Sequence, residues 1–475
     1  MYVGRRVTSG RACLRTGRGP GGVRYTSGAM ARFHIRTYGC QMNERDSELL
    51  ACLLRERGHT AVASEDEADI ILCNTCSVRD QAERKALGKV GLLKRLKREK
   101  PALVIGLIGC MAQSYGRALL DKLPHLDLVV GPDQLQAIPD LVAEALAGQR
   151  GLVATESREA RPGDLSPHEP GQVSASVAVM RGCDQFCSYC IVPQTRGRER
   201  SRSGAEIVAE VRSLVDAGTR EVLLLGQNIT AYGVAEARRA GTYAADQSAF
   251  ADLLRVVHEV PGLARIRFTS PHVRYMNQAF IEAVCTLPKV CKAFHVPVQS
   301  GSDRILKLMH RGYTAADYRR VLDAIRARVP RAAFSTDVIV GFPTESEADF
   351  AATRELMRQV GFDMAYIFKY SPRAGTKAAE DLADDIPAPL KLQRNQILLD
   401  DLEQSVAARN QAYLGQQVEI LLEGPSRRNP ARWQGRTDSH KVVIVEPAPA
   451  WRPGALVRVR ISRATSHGLF GEVAP

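Results

Sequence analysis

Three cysteines lie within eight consecutive residues, in the segment RGCDQFCSYCIVPQTRGR that runs from 181 to 198. They are Cys183, Cys187 and Cys190, spaced C-x3-C-x2-C, and are called here the cysteine loop. Three thiolates this close together can hold an iron–sulfur cluster. Because a four-iron cluster takes four ligands, three cysteines leave one iron open to a substrate. The alternatives are a zinc loop or a set of buried thiols, but zinc usually takes its cysteines in C-x2-C pairs.

Three further cysteines each follow an apolar run typical of a β-strand. These strand-end cysteines are Cys40 in TYGCQMN, Cys76 in CNTCSVR and Cys110 in IGCMAQ. The carboxyl ends of neighbouring parallel strands meet at one edge of a sheet, so we predict a second three-thiolate site there. A single cysteine in such a place is as well explained as a core thiol, but three in matching positions favour a site. Cys73 falls within its strand and is left out.

Residues 30–150 must position the strand-end cysteines, and they alternate strand and helix patterns. Strands are predicted at 33–38, 70–72, 103–108 and 126–130. The first helix is predicted over 43–57, with Asn43 as its cap and Gly58 as its stop. The alternation predicts an N-terminal parallel α/β domain. Residues 151–172 are rich in proline and scattered charge and are predicted to be a linker.

Residues 173–410 must position the cysteine loop, and they are predicted to form a partial (β/α)6 barrel with connecting helices. Its strands are expected at 177–180, 222–225, 266–269, 293–298, 334–340 and 364–370. Barrel enzymes place their chemistry at the carboxyl ends of the strands, and the cysteine loop follows the first strand. Each residue of the barrel rim alone is as well explained as a turn or a helix cap. The rim residues predicted to bind a cofactor are Gly226, Gln227, Asn228, Gln299, Ser300 and Glu345, and the wider rim includes Ser270, Pro271, His272, Gly341, Ser371 and Arg373.

Residues 411–475 have a different pattern, with short β-rich runs at 418–422, 441–445 and 456–462 separated by glycine and proline. This pattern is typical of a small β-barrel. In LVRVRIS, alternation puts Arg458 and Arg460 on one face of a strand. With Trp433 and Trp451 nearby, that face can bind a phosphate backbone and stack bases, or it can simply be solvated.

The composition is that of an ordinary globular protein, with 45% apolar residues and a net charge of +13. A basic balance favours a polyanionic partner. No apolar run approaches the ~20 residues of a membrane-spanning helix, so we expect no membrane partner. Eleven cysteines without a secretory signal indicate a reducing compartment.

Residues 1–29 are rich in arginine, glycine and serine and contain no acidic residue. We expect this tail to be disordered. It is compatible with a mitochondrial transit peptide, but an upstream start codon in a bacterial cytoplasmic protein whose translation begins at Met30 is the favoured explanation.

The C-x3-C-x2-C spacing, with Tyr189 before the last cysteine, resembles the radical S-adenosylmethionine (SAM) superfamily. From about residue 32 to the C-terminus, the chain resembles more closely the methylthiotransferases of that superfamily. The motifs that carry the resemblance are TYGCQMNERDSE, NTCSVRDQAERKALG, GCMAQ, GCDQFCSYCIVPQTRGRERSR, HVPVQSGSDRILKLMHRGYT, DVIVGFPTE and a C-terminal segment similar to a TRAM domain. The pairing of GCQMN with NTCSVR is similar to the tRNA-modifying member.

The resemblance implies two [4Fe-4S] clusters and SAM as cofactors. It implies conversion of N6-isopentenyladenosine at position 37 of tRNA to the 2-methylthio form, with the anticodon stem-loop as partner. One SAM would methylate sulfur at the strand-end cysteines, and another would be cleaved at the cysteine loop to a radical that attacks C2 of the adenine. An aromatic C–H bond is too inert for acid–base chemistry, so a cofactor must supply the radical.

The resemblance further implies a flavodoxin-type or ferredoxin-type reductant, and we expect a monomer. Two alternatives remain. A related methylthiotransferase acts on threonylcarbamoyl-adenosine or on a ribosomal-protein aspartate. A non-catalytic iron–sulfur RNA-binding protein would have no need for a rim of SAM-binding size.

Overall fold

The computed structural model describes residues 30–77, 80–157 and 168–473. The predicted tail at 1–29 and residues 158–167 of the predicted linker lie outside the described residues. The chain divides into two compact units. The first contains the residues up to 172 together with 176–184 and 191–217, and the second contains 173–175, 185–190 and 218–475.

The first unit is built on a parallel sheet. Its strands are β1 (Arg32–Thr37), β2 (Thr60–Ala61), β3 (Ile70–Thr75), β4 (Val104–Gly109), β5 (Leu128–Val130) and β6 (Leu152–Ala154). Their order is β2–β1–β3–β4–β5–β6, and every neighbouring pair is parallel. The four predicted strands are present. The edge strands β2 and β6 were not predicted, because two or three residues are too short to show a periodicity, and β6 lies within the predicted linker.

Helices cover both faces of this sheet. They are α1 (Gln41–Glu56), α2 (Asp80–Glu99), α3 (Cys110–Tyr115), α4 (Ala118–Lys122) and α5 (Ile138–Leu146). Alternate residues of β3 face opposite layers. Ile70 and Leu72 pack in the core that contains leucines of α1, whereas Ile71 and Cys73 pack in the core that contains Val90 of α2. A strand buried on both faces is apolar throughout, which is why the sequence shows it as a continuous run.

Strand β7 (Ser174–Ala178) crosses the division between the units. The first unit then includes a two-stranded antiparallel ribbon and two helices. These elements are β8 (Met180–Arg181), α6 (Val192–Arg196), β9 (Arg200–Ser201) and α7 (Gly204–Asp216). Helix α7 begins with a capping box, in which the Ser203 hydroxyl accepts from the Glu206 amide and the Glu206 carboxylate accepts from the Ser203 amide.

The second unit contains the remaining barrel strands, β10 (Glu221–Leu225), β11 (Arg265–Phe268), β12 (Ala293–His295), β13 (Ala333–Val340) and β14 (Met364–Lys369). Strand β10 pairs with β11, and β13 pairs with both β12 and β14, all in parallel. The six predicted barrel strands are therefore present, β7 among them. The helices of this region are α8 (Val234–Arg239), α9 (Ala249–His258), α10 (Gln278–Thr286), α11 (Asp303–Leu308), α12 (Ala315–Arg328), α13 (Glu347–Val360), α14 (Lys377–Asp381) and α15 (Ala388–Gln411).

Phenylalanine side chains connect these strands to the helices. Phe268 of β11 packs edge-on against Phe250 of α9, with ring centroids 5.3 Å apart. On its other side it lies 5.9 Å from Phe294 of β12, which lies 5.8 Å from Phe334 of β13. Aromatic pairs at these distances stabilise the core beyond the area that they bury. Within the described residues, no helix combines the length and the apolar character needed to cross a bilayer.

The second unit ends in a closed five-stranded barrel. Its strands are β15 (Gln417–Pro425), β16 (Trp433–Arg436), β17 (Val442–Val445), β18 (Leu456–Thr465) and β19 (Gly468–Val473), in the order β15–β16–β17–β19–β18. Arg458 and Arg460 are exposed between the buried Val459 and Ile461, as the alternation predicts. Trp433 and Trp451 are partly buried and pack against the apolar core of this barrel, and their role in stacking bases stays a prediction.

Two arginines of β11 attach this small barrel to the larger one. Arg265 donates hydrogen bonds to the carbonyl oxygens of Glu419, at 3.2 Å, and Arg436. Arg267 donates to the carbonyls of Thr437 at 2.7 Å and Asp438 at 3.1 Å, and to the Glu221 carboxylate at 2.7 Å. Both arginines are buried, so the small barrel has a fixed place on the start of β11.

Candidate metal centres

The strand-end cysteines lie at the carboxyl ends of three adjacent strands, β1, β3 and β4. Cys76 and Cys110 follow β3 and β4 directly, and Cys40 follows β1 after the two residues Tyr38 and Gly39. The side chain of Cys76 makes a hydrogen bond with Cys40, and Cys40 and Cys110 interact electrostatically. The structure thus brings the three thiols to one sheet edge, where the strand order reverses and ligands of open α/β sheets gather.

Glycine precedes Cys40 and Cys110 for a steric reason. At Gly109 φ is +91°, and a Cβ would lie 2.4 Å from Asn74 Oδ1 and 2.7 Å from the Thr75 carbonyl. At Gly39 φ is +152°, and a Cβ would lie 2.8 Å from the Cys76 Cβ. Both backbones approach too closely for any side chain, so glycine lets these strand ends converge. The repeated Gly-Cys pair was a signal that our sequence analysis did not use.

Two asparagines join the strand ends beneath the thiols. Asn43 Nδ2 donates to Asn74 Oδ1 at 2.9 Å and to the Thr75 carbonyl at 3.2 Å. Asn74 Nδ2 donates in return to the Asn43 carbonyl at 2.9 Å. The prediction that Asn43 caps α1 is wrong, since the helix begins at Gln41 with Cys40 as its N-cap residue. Asn43 instead lies in the first turn, where its amide binds the neighbouring strand.

The thiols differ in acidity. The hydrogen bond with Cys76 lowers the pKa of Cys40 to about 5, against the opposing effect of burial, and the positive charge of Arg196 contributes. Burial raises the pKa of Cys110 despite the same arginine. A thiolate is the form that binds metal, so the lowered pKa of Cys40 favours this residue as a ligand.

Arg196, at the end of α6, is a site residue that our sequence analysis did not identify. It is 5% exposed, and its Nη2 donates to Asp46 Oδ2 at 2.9 Å. Asp46, in α1, also accepts from Arg181 at 3.2 Å. No periodicity in the sequence distinguishes a buried arginine from an exposed one, so only the fold could reveal it.

The donor set of the strand-end cysteines fits an iron–sulfur cluster. Among the described residues, no three His, Cys, Asp or Glu side chains converge as the ligands of a single metal ion do. The thiols of a four-iron cluster bind different irons and need not converge on one point. Three sulfur donors with a buried arginine beside them suit an anionic cluster better than a lone divalent ion.

The cysteine loop spans the division between the two units. In the first unit, the Cys183 amide donates to the Gly197 carbonyl at 3.2 Å. Gly182 has a φ of +79°, and a Cβ there would lie 2.0 Å from the Arg198 carbonyl. A third Gly-Cys pair therefore fixes a cysteine by close backbone approach.

In the second unit, Arg311 lies beside Cys187 and donates from Nη1 to its Sγ at 3.3 Å. The same arginine donates to the Pro297 carbonyl at 2.9 Å and to the Tyr313 hydroxyl at 2.9 Å. Such a charged hydrogen bond stabilises a thiolate. Cys190 donates its amide to the Cys187 carbonyl at 3.0 Å, which makes the tight turn between them.

The predicted rim residues divide into two groups. Gly226, Gln227 and Asn228 directly follow β10, and Asn228 is 2% exposed. Its Nδ2 makes no hydrogen bond to any described residue, so this amide is available to a ligand. His272 lies in the wider rim, and its Nε2 likewise makes no hydrogen bond to any described residue. Burial holds the pKa of its imidazole well below the usual value. Both side chains therefore offer buried polar atoms near the strand ends.

The side chains of Ser300 and Glu345 are instead engaged by the fold. Ser300 Oγ lies 3.1 Å from Thr353 Oγ1, and Glu345 accepts from Arg394 at 2.7 Å in a fully buried ion pair. Gln299 has a φ of +74°, unusual for a residue other than glycine, and its backbone bonds to Asp337 and Ile339 on β13. These residues hold the rim in shape.

Three protein-family models match successive parts of the chain. Residues 32–131 match Uncharacterized protein family UPF0004, 177–357 match the Radical SAM superfamily, and 411–474 match the TRAM domain. The fold and the cysteine arrangement therefore define a radical SAM enzyme with an additional N-terminal domain and a TRAM domain.

Three relatives match nearly the whole chain, and each carries the name tRNA-2-methylthio-N(6)-dimethylallyladenosine synthase. The protein of Opitutus terrae is 44% identical over 94% of this chain and 98% of its own. That of Moorella thermoacetica is 43% identical over 94% and 99%, and that of Bordetella bronchiseptica 42% identical over 94% and 94%. The chain belongs to this family of radical SAM tRNA methylthiotransferases, which use SAM and [4Fe-4S] clusters, and the predicted family and fold class are confirmed.

Solved structures agree on the fold. The radical S-adenosylmethionine methyltransferase TsrM of Kitasatospora setae has a TM-score of 0.51 at 14% identity, covering 74% of this chain and 77% of its own. The cobalamin-dependent S-adenosylmethionine radical enzyme OxsB has a TM-score of 0.50 at 11% identity, covering 79% and 56%. At such identities the likeness concerns the fold alone.

Proposed function

We propose that this enzyme converts N6-isopentenyladenosine at position 37 of tRNA to 2-methylthio-N6-isopentenyladenosine. The observation that carries the proposal is the presence of two separate three-cysteine sets in one chain, a strand-end set and a loop set. One open cluster serves to cleave SAM, and a second can supply the sulfur that a methylthio group requires. The substrate follows from the names of the relatives that match nearly the whole chain.

The ligands are proposed residue by residue. Cys183, Cys187 and Cys190 hold the cluster that binds SAM, and Cys40, Cys76 and Cys110 hold the second cluster. When bound, these groups supply a deoxyadenosyl radical and a methylthio group respectively.

The chain's own residues orient and protect these groups. Arg311 orients Cys187 by donating a hydrogen bond to its Sγ. Asn228 Nδ2 and His272 Nε2 offer buried polar atoms to SAM, because neither is engaged by a described residue. Gly226 and Gln227 allow close approach of the backbone after β10.

Gln299, Ser300 and Glu345 act less directly in this scheme. They fix the ends of the later strands through Thr353, Arg394 and the backbone of β13. We therefore propose that they shape the SAM site and place the groups that touch the cofactor.

The small barrel is proposed to bind the tRNA anticodon stem-loop. Arg458 and Arg460 form an exposed cationic pair on β18, suited to phosphates. A target base in the anticodon loop can be unstacked and reached by the larger barrel. A flavodoxin-type or ferredoxin-type protein is the proposed electron donor, and the enzyme is proposed to act as a monomer in the bacterial cytoplasm.

The test is mass spectrometry of tRNA nucleosides from a strain that lacks this gene, with and without the gene restored. We expect the 2-methylthio form to be absent and N6-isopentenyladenosine to accumulate, with reversal on complementation. An unchanged isopentenyl pool with loss of a methylthiolated threonylcarbamoyl nucleoside, or of a ribosomal-protein modification, would assign a related substrate instead. Purified protein that forms no deoxyadenosine from SAM under reduction would exclude the enzyme class.

A further inference from the structure

A buried arginine lies beside the strand-end cysteines without a full set of partners. Arg196 ends α6, which packs against α3, the helix that begins with Cys110. Its positive charge acts on the thiols of both Cys110 and Cys40. The arginine is 5% exposed, so water does not screen this interaction effectively.

The charges around Arg196 do not balance. Its Nη2 and the Nη2 of Arg181 both donate to Asp46, at 2.9 and 3.2 Å. Asp46 is 1% exposed, so one buried carboxylate serves two guanidinium groups, that of the buried Arg196 and that of Arg181, whose side chain is 26% exposed. A buried excess of positive charge is costly unless an anionic group offsets it. Three thiolates at the strand-end cysteines would supply that charge.

One donor of Arg196 is also left over. The guanidinium of Arg196 makes a side-chain hydrogen bond with Cys110, while its Nη1 is buried and makes no hydrogen bond to any described residue. A buried donor without an acceptor costs roughly 1–3 kcal/mol, so such an atom usually marks a missing ligand. Nη1 belongs to the same planar group that Asp46 holds, and its direction is therefore fixed by α1, the helix that begins after Cys40.

We infer that Arg196 is a ligand-binding residue of the sulfur-carrying centre, where its Nη1 donates a hydrogen bond to a sulfur of the cluster and its charge offsets the thiolates. Asp46 is the positioning residue that aims it. The inference rests on the proposed assignment of the strand-end cysteines as cluster ligands. Hydrogen bonds to cluster sulfurs and nearby positive charge make a cluster easier to reduce.

The test uses the full-length chain with Cys183, Cys187 and Cys190 all changed to alanine, so that one cluster remains. In this parent, Arg196→Gln removes the charge, and Arg196→Lys keeps the charge but loses the planar fork. The control is Arg200→Gln, four residues along the chain, whose guanidinium donates to Asp133 at 2.8 Å. Iron per chain and the reduced fraction in a redox titration followed by electron paramagnetic resonance are measured for each.

We expect Arg196→Gln to lower the ratio of reduced to oxidised cluster at fixed potential at least tenfold, a shift of about 59 mV for one electron. Arg196→Lys should show part of this shift, and Arg200→Gln should match the parent. Loss of iron from Arg196→Gln, with parent-like circular dichroism and with iron retained in Arg200→Gln, would equally support the inference.

Parent-like iron content and parent-like potential in both Arg196 variants would overturn the role of Arg196 and leave the cysteine assignment standing. An equal shift in Arg200→Gln would also overturn it, because the effect would then be general to the segment. A parent that binds no iron would instead overturn the cysteine assignment itself, and the inference with it.

Discussion

The two sets of cysteines, each proposed to hold a cluster, are brought together by different structural means. The cysteine loop is contained in eight consecutive residues, so the covalent chain itself keeps its three thiols together. The strand-end cysteines come from three separate strands and meet only because β1, β3 and β4 are neighbours in the sheet. The first set is a local motif and the second is a product of topology.

This difference predicts how each site responds to change elsewhere. The strand-end set depends on the convergence of strand ends at Gly39 and Gly109, on the Asn43–Asn74 amide pair and on the sheet order. The loop set depends on a few close contacts, such as that of Gly182 with Arg198 and that of Arg311 with Cys187. Changes that loosen the N-terminal sheet should therefore affect one site and leave the other in place.

The largest expected effect separates the chemical roles of the two sets. Cys110→Ala should abolish the methylthiolated nucleoside but still cleave SAM to deoxyadenosine with dithionite. Cys187→Ala should abolish deoxyadenosine yet leave methyl transfer to the other site, seen as S-adenosylhomocysteine and acid-released methanethiol. Chromatography of both products with mass spectrometry checks this. Full methylthiolation by Cys110→Ala, or deoxyadenosine from Cys187→Ala, would show that the roles are wrongly assigned.

The second expected effect is the loss of about half of the bound iron. Reconstituted without oxygen, the enzyme should bind about eight irons, since each set holds one four-iron cluster. The triple change Cys183→Ala, Cys187→Ala and Cys190→Ala should reduce this to about half, as measured by iron analysis. A fall to zero would mean that the two sets form a single site.

The third effect tests dependence on topology. Gly109→Ala introduces a Cβ 2.4 Å from Asn74 Oδ1 at a φ of +91° and should destabilise the protein by about 1–3 kcal/mol. It should also remove the strand-end iron while sparing the loop iron. Urea unfolding and iron analysis measure both.

The matched control for that change is Gly88→Ala in α2, where a Cβ would meet nothing within 4 Å. Alanine in a helix interior should stabilise by about 0.4–1 kcal/mol and leave the iron content unchanged. Equal effects of the two substitutions would argue against a special role for the strand-end glycine.

The smallest effect concerns tRNA affinity. The double change Arg458→Ala and Arg460→Ala should weaken tRNA binding and reduce the slope of log affinity against log salt by about 1–2, because two phosphate contacts are lost. Deoxyadenosine formation without tRNA should be unchanged. The control is Arg354→Ala, which removes an exposed arginine of α13 that is paired with Asp401 at 2.5 Å. A salt slope equal to that of the unaltered enzyme would remove this face from the tRNA-binding surface.

The sequence predicted the elements whose signal is local. The six barrel strands and the four longer N-terminal strands show continuous apolar runs or alternation, and all are present. The six cysteines stand out by type and spacing. Edge strands β2 and β6 were missed because their pairing, and not their own residues, makes them strands.

The candidate site was less predictable where partners are distant in sequence. Glu345 ends the motif DVIVGFPTE and was predicted to bind the cofactor, yet it accepts from Arg394, 49 residues away. Arg196 pairs with Asp46, 150 residues away, and was missed for the same reason. Burial of charged residues is set by long-range packing, which a single sequence does not display.

Arg265 and Arg267 hold the small barrel in a fixed place, and this affects how it can bind RNA. A module on a flexible tether must be ordered each time it binds, and its effective concentration falls as the tether lengthens. This barrel is held by hydrogen bonds from β11 to four of its backbone carbonyls. It is therefore ordered once, when the protein folds, and not again each time RNA binds. An RNA bound at Arg458 and Arg460 would then lie in a set position. The nucleotide to be modified would be selected by its distance from these two arginines.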